Sequence, residues 1–167
     1  MIRLFLLGLL TWLQGLCLAA PFELERATSF AQSQPRSFYL VVFATKRCPW
    51  CALLKRDYLI PLPAKRDGIS IRLLEVLIDQ DNPLIDFKGK PTTHKRFAQT
   101  YGVRVSPTVM VFGPNPEPLG TPLVGVGIAD FYGAYLDDLI QVGIASQTAS
   151  QTSSHTPSQS VGSEPAK

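Results

Sequence analysis

Cys48 and Cys51 enclose Pro49 and Trp50, and a helix beginning between them would place both sulfurs on one face, one turn apart. So placed, they close into a disulfide or open to a dithiol with little backbone motion, which is the chemistry of thiol–disulfide exchange. Only the thiolate attacks a disulfide. Cys48 is the expected attacking residue, because the free N–H groups and the positive end of a helix favour an anion there. Cys51, one turn inside, is the expected resolving thiol. Lys46 and Arg47 just upstream add positive charge, screened in part by solvent. Trp50 reads as a docking surface beside the reactive sulfur or as an exposed hydrophobe filling a groove.

The flanks must position these residues. Residues 38–44, Phe-Tyr-Leu-Val-Val-Phe-Ala, read as a buried strand. Pro49 suits a first helical position, where its missing N–H costs nothing. Apolar residues at helical spacing continue to about Ile60, before Pro61 and Pro63. Upstream, Phe22, Leu24, Ala27, Phe30 and Ala31 predict an amphipathic helix over 22–34, ended near Pro35. Residues 65–68 read as a turn, 69–78 as a second strand and 79–91 as a loop. Thr92 or Thr93 caps a helix reaching Tyr101, with Gly102 at its end. A third strand covers 108–112, prolines 114, 116 and 118 stiffen a connection, and 123–126 form a fourth strand antiparallel to the third. Asp130 opens a last helix with Phe131, Tyr135, Leu136, Leu139 and Ile140 on its apolar side.

The two ends have a different composition. Residues 1–19 carry Arg3, an apolar stretch of about 15 residues and small residues before Ala20, the pattern of a cleaved secretory signal. The stretch falls short of the roughly 20 residues that a spanning helix needs, so an uncleaved anchor is the lesser reading. Lipid attachment at Cys17 is disfavoured by the bulky Leu16 before it. Cleavage removes Cys17 and leaves Cys48 and Cys51 as each other's only partner in an oxidising compartment. The expected domain covers 20–144. Residues 145–167, rich in Ser, Thr, Gln, Ala and Pro, read as a disordered tail. A net charge of +3, with no basic stripe interleaved with aromatics, argues against nucleic acid.

The residues also bear on other uses of the cysteines. A c-type haem needs His after the second cysteine, where Ala52 stands. Zinc needs four ligands, and the chain adds only His94, read as a surface residue of a helix first turn, and His155 in the tail. Copper(I) held by two thiolates stays open. Glu75 reads either as a proton acceptor for Cys51 or as a solvated or ion-paired strand residue.

The order of elements, with Cys48–Cys51 and the run Tyr101-Gly102-Val103-Arg104-Val105-Ser106-Pro107-Thr108, resembles the thioredoxin family over about residues 36–142. The resemblance implies an α/β thioredoxin fold, a central mixed sheet of about four strands flanked by helices, with an N-terminal extension. It implies that Pro107 is a cis residue facing the disulfide, with Ser106 before it, and that the backbone beside them docks the substrate chain. It also implies that Gly125 or Gly127 ends the fourth strand. The insertion Phe87-Lys88-Gly89-Lys90-Pro91 is similar to secreted bacterial thioredoxin-like proteins, including those associated with sulfur oxidation. Three positions depart from thioredoxin itself: Pro-Trp between the cysteines instead of Gly-Pro, Val42 where a buried acid stands, and Glu75 at a lysine position.

The expected protein is therefore a periplasmic thiol–disulfide oxidoreductase, a monomer with no cofactor beyond the Cys48–Cys51 pair. It acts on disulfide-containing client proteins and draws electrons from a membrane donor. A disulfide-forming oxidant using the same pair, or a non-enzymatic copper(I) carrier or adaptor, are the alternatives.

Overall fold

The computed structural model of the chain describes residues 24–31, 34–127 and 129–153; the expected signal segment, with Cys17, and His155 lie outside them. Strand β1 (Ser37–Ala44) is buried at all eight positions, as a strand covered on both faces must be. It is followed by helix α1 (Pro49–Leu54), then β2 (Lys65–Arg66), β3 (Ile69–Leu77), β4 (Pro83–Ile85) and β5 (Pro91–Thr93). Helix α2 (His94–Thr100), β6 (Thr108–Phe112), β7 (Pro118–Val124) and α3 (Ala129–Ser153) complete the order. The sheet runs β2-β3-β1-β6-β7, with β1 parallel to β3 and antiparallel to β6. The expected four strands are thus five.

Alternation along β1 divides the core into two layers. Phe38, Leu40 and Val42 pack with Leu54 of α1 and with Tyr132, Leu136, Leu139 and Ile140 of α3. Tyr39, Val41 and Phe43 face the other way, against Phe97 and Ala98 of α2. On that side Phe30 stacks on Phe87 and Phe97, with ring centroids at 4.8 and 4.7 Å. Helix α3 lies close to the sheet because it carries Gly143 over Phe38; a Cβ there would meet the ring at 2.7 Å.

Several sequence expectations hold. The first strand, the Thr93 cap (Oγ1 accepts the Arg96 N–H at 3.3 Å) and the β6 strand stand as read, and β7 is antiparallel to β6. Gly102 has φ +68° beyond α2, in the region that glycine adopts freely.

Other expectations are corrected. Residues 24–31 are not helical: they run extended along the sheet, Ala27 N–H donating to Glu75 O at 2.9 Å and Phe30 N–H to Ile85 O at 2.9 Å. Leu24, Ala27 and Phe30 are still the buried residues, so a three-residue recurrence that suits a helix here serves a strap. The helix after the cysteines changes register at Lys55, where the Ile60 N–H reaches back five residues to the Lys55 carbonyl at 2.9 Å, a π turn. Residues 65–68 form a hairpin whose Asp67 and Gly68 have φ +52° and +73°, the pairing that a two-residue turn demands. The 79–91 loop is interrupted by β4, which pairs with β5 beginning at the loop's last residue, Pro91.

The fourth strand is β7 at 118–124, earlier than the expected 123–126, and Gly125 follows it directly. On α3, Tyr132 is buried whereas Phe131 and Tyr135 are exposed, because the inward stripe is 132, 136, 139–140 and 144. That helix continues to Ser153, beyond the expected start of the tail at 145. Ile144 and Gln147 are buried there, and the Ser146 and Thr148 hydroxyls donate to the Gly143 and Ile144 carbonyls at 2.7 and 3.2 Å. Among the described residues, no helix is long and apolar enough to cross a membrane.

Candidate active site

The site lies where β1 ends and α1 begins. Cys48 is extended (φ −131°, ψ 98°) and caps α1, its Sγ accepting the Cys51 N–H at 3.0 Å. Pro49 takes the first helical position, as its ring geometry favours. Cys48 and Cys51 form a disulfide with 5.2 Å between their Cα atoms. The two sulfurs differ in access. Cys51 is 2% exposed and packs on Ala44 and Leu77, whereas Cys48 is half-buried at the rim. An incoming disulfide therefore meets Cys48 first.

The second wall comes from the loop before β6. The Ser106–Pro107 peptide bond is cis. Ser106 Oγ donates to Cys48 Sγ at 3.8 Å, 58 residues away in the chain, and also lies 3.2 Å from Thr45 Oγ1. Two bonds fix this loop: Thr108 Oγ1 donates to Val105 O at 2.8 Å, and Gly125 N–H to Pro107 O at 2.7 Å. The structure thus brings Cys48, Cys51 and Ser106 together and sets Pro107 in the same wall. Trp50 is 62% exposed on the first turn of α1, and Val105 is 51% exposed beside Ser106. Lys46 and Arg47 are exposed, and the Lys46 backbone N–H is bonded to the Asp79 carboxylate at 3.2 Å.

Glu75 sits inside β3 opposite Val42, 2% exposed, with its carboxylate on Lys55 Nζ at 2.8 Å. It is the ion-paired residue of the two readings above. Its partner is the first residue of the π turn, four positions after Cys51.

His94 overturns its surface reading. Its ring is 1% exposed, Nδ1 accepting the Leu77 N–H at 2.9 Å and Nε2 lying 2.7 Å from the Ala27 carbonyl. A carbonyl only accepts, so the ring is the neutral Nε2–H tautomer. Burial, with Arg26 nearby, holds its pKa below the usual histidine value, against the opposing pull of the Ala27 bond and Glu75. Leu77 floors Cys51, so His94 ties the 24–31 strap to the base of the site. Thr45, Lys55 and Asp79 were likewise not singled out from sequence. Their partners lie 61, 20 and 33 residues away, and no local pattern marks them. Among the described residues no three His, Cys, Asp or Glu side chains gather as metal ligands.

Comparison with known proteins agrees with this architecture. The family model of the thioredoxin-like domain matches residues 24–139. The chain belongs to the thioredoxin-like family. No curated protein matches it significantly. Among solved structures it is similar to a thioredoxin-fold protein from Helicobacter pylori, with 17% identity over 74% of this chain and 93% of that one (TM-score 0.43). A thioredoxin from Nicotiana alata shows 17% identity over 69% and 94% (TM-score 0.40). Mitochondrial thioredoxin 3 from Saccharomyces cerevisiae, in its oxidized form, shows 13% over 71% and 94% (TM-score 0.40). Likenesses this remote carry no argument about the reaction. The thioredoxin-like domain and the Cys48–Cys51 disulfide together support a thiol–disulfide oxidoreductase in general.

Proposed function

We propose that this thioredoxin-like protein is an exported reductase of protein disulfides, acting in an oxidising compartment such as the periplasm. The observation that carries the reading is the asymmetry of the pair. Cys48 is reachable and bonded to two donors, the Cys51 N–H and the Ser106 hydroxyl, while Cys51 is buried directly behind it.

In the proposed cycle the Cys48 thiolate attacks one sulfur of a client disulfide. A Cys48–client bond forms, the client S–S bond breaks, and the leaving thiolate takes a proton from solvent. Cys51 then loses its proton and attacks Cys48 Sγ, which releases the second client thiol and forms the Cys48–Cys51 bond. Two electrons pass to the client, and a dithiol donor, proposed to be membrane-embedded, must return them. The exposed Trp50, two residues after Cys48, and Val105, next to Ser106, together with the backbone at Ser106 and Pro107, are the proposed docking surface.

The direction of flow is set by potential, not by connectivity. The test is the reduction potential of the Cys48–Cys51 couple, measured against glutathione or dithiothreitol buffers. A value near −270 mV, about that of thioredoxin, together with insulin-disulfide reduction supports the reductase. A value near −120 mV, about that of the strong periplasmic oxidant, reverses the reading in favour of disulfide formation.

A further inference from the structure

The contact between Thr45 and Ser106 is not used by the cycle above, yet it bears on the attacking sulfur. A hydroxyl carries a single hydrogen. If that of Ser106 points to Cys48 Sγ at 3.8 Å, the 3.2 Å contact with Thr45 must have Thr45 as its donor. The result is a directed chain, Thr45 O–H to Ser106 O–H to sulfur, in which each bond polarises the next.

Both ends of the chain are anchored. Thr45 lies between Ala44, whose carbonyl takes the Ile78 N–H at 2.8 Å, and Lys46, whose N–H is held by the Asp79 carboxylate. Ser106 lies between the Val105 and Pro107 carbonyls, which accept from Thr108 Oγ1 and the Gly125 N–H.

We infer that Thr45 is a positioning residue of the redox site, whose hydroxyl holds the Ser106 hydroxyl on the Cys48 sulfur. The inference rests on the proposed role of Cys48. A sulfur in a disulfide accepts weakly, whereas a thiolate makes a charge-assisted bond about twice as strong as a neutral one. The chain therefore favours the reduced, ionised Cys48. Without Thr45 the Ser106 hydroxyl turns freely and spends part of its time on water.

The test follows alkylation of Cys48 by iodoacetamide in the fully reduced chain between pH 4 and 10, localised to Cys48 by fragment-ion mass spectrometry so that neither Cys51, in the same peptide, nor Cys17 interferes. Ser106→Ala should raise the midpoint of the rate profile by about one pH unit, roughly tenfold less thiolate below it. Thr45→Val, which keeps the shape and loses the hydroxyl, should raise it by about half a unit, roughly threefold. Thr45→Ser should restore the wild-type profile. In a Ser106→Ala background Thr45→Val should shift nothing further, since the two act through one bond. Thr45→Ala serves the same purpose should valine not be accommodated.

A Thr45→Val or Thr45→Ala profile that overlays the wild type overturns the inference, as does an undiminished shift in the Ser106→Ala background. The proposed function fails separately. Wild-type protein that reduces no insulin disulfide, while its Cys48 profile still responds to Thr45, removes the reductase reading and leaves Thr45 in its role.

Discussion

Acidification from pH 7.5 to 5.5 should weaken this fold through His94. The buried ring accepts from Leu77 N–H and donates to Ala27 O, so a second ring proton would oppose the Leu77 N–H with another N–H. It would also place a cation near Arg26 and in the first turn of α2, where the helix dipole disfavours positive charge. The native pKa therefore lies below the unfolded value of about 6.5. Above that value His94 is neutral in both states and stability is complete. As pH falls below it, the unfolded chain takes up a proton that the native chain refuses, and stability drops until the native pKa is reached. With one proton at about 1.4 kcal/mol per pH unit, the loss by pH 5.5 is about 1–1.5 kcal/mol if the native ring stays neutral.

The assay is urea unfolding at both pH values for the wild type and His94→Asn. Asparagine keeps an acceptor for the Leu77 N–H but leaves the Ala27 carbonyl unpaired, so it should cost about 1–3 kcal/mol at pH 7.5. It should also abolish most of the pH slope. His155 is present in both proteins, and the difference between them isolates His94. Equal slopes in the two proteins would mean that His94 does not carry the pH dependence, and the strap at 24–31 would then be held without regard to this proton.

Two further outcomes test the packing around the site. Lys55→Met leaves the Glu75 carboxylate, 2% exposed, without its partner, and should cost about 3–5 kcal/mol by chemical denaturation. Adding Glu75→Gln should recover most of that, whereas equal losses in the single and double variants would mean that the pair is not what holds β3 to the π turn. Gly143→Ala should lose up to about 2 kcal/mol, because overpacking against the buried Phe38 ring at 2.7 Å costs about 1–3 kcal/mol and the helix-propensity gain returns only about 1 kcal/mol. A rise in melting temperature would show that α3 can step away from the sheet.

What could be read from the residues alone was whatever is local or covered on both sides. The apolar run at 38–44 admits one reading because no face of β1 meets solvent. The Thr93 cap, Gly102 and the Cys48–Cys51 turn each carry their signal within a few residues. The strap at 24–31 has a misleading local pattern, because Leu24, Ala27 and Phe30 recur every third residue, which suits a helix as well. The Glu75 and Ile85 backbone groups that pair with the strap instead come from far along the chain. His94 looked like an exposed first-turn residue for the same reason: its two partners lie at Ala27 and Leu77. Tertiary hydrogen bonds decided these cases over local pattern.

Mixed-disulfide trapping tests the division of labour between the cysteines most directly. Cys51→Ser and Cys48→Ser variants of the full chain are mixed with a disulfide client such as insulin, quenched with acid and mapped by mass spectrometry. Cys51→Ser should accumulate adducts on Cys48, because the attack goes forward and the resolving step is gone, while Cys48→Ser should accumulate none on Cys51. Adducts in equal yield on both cysteines, or on neither, would contradict this division of labour.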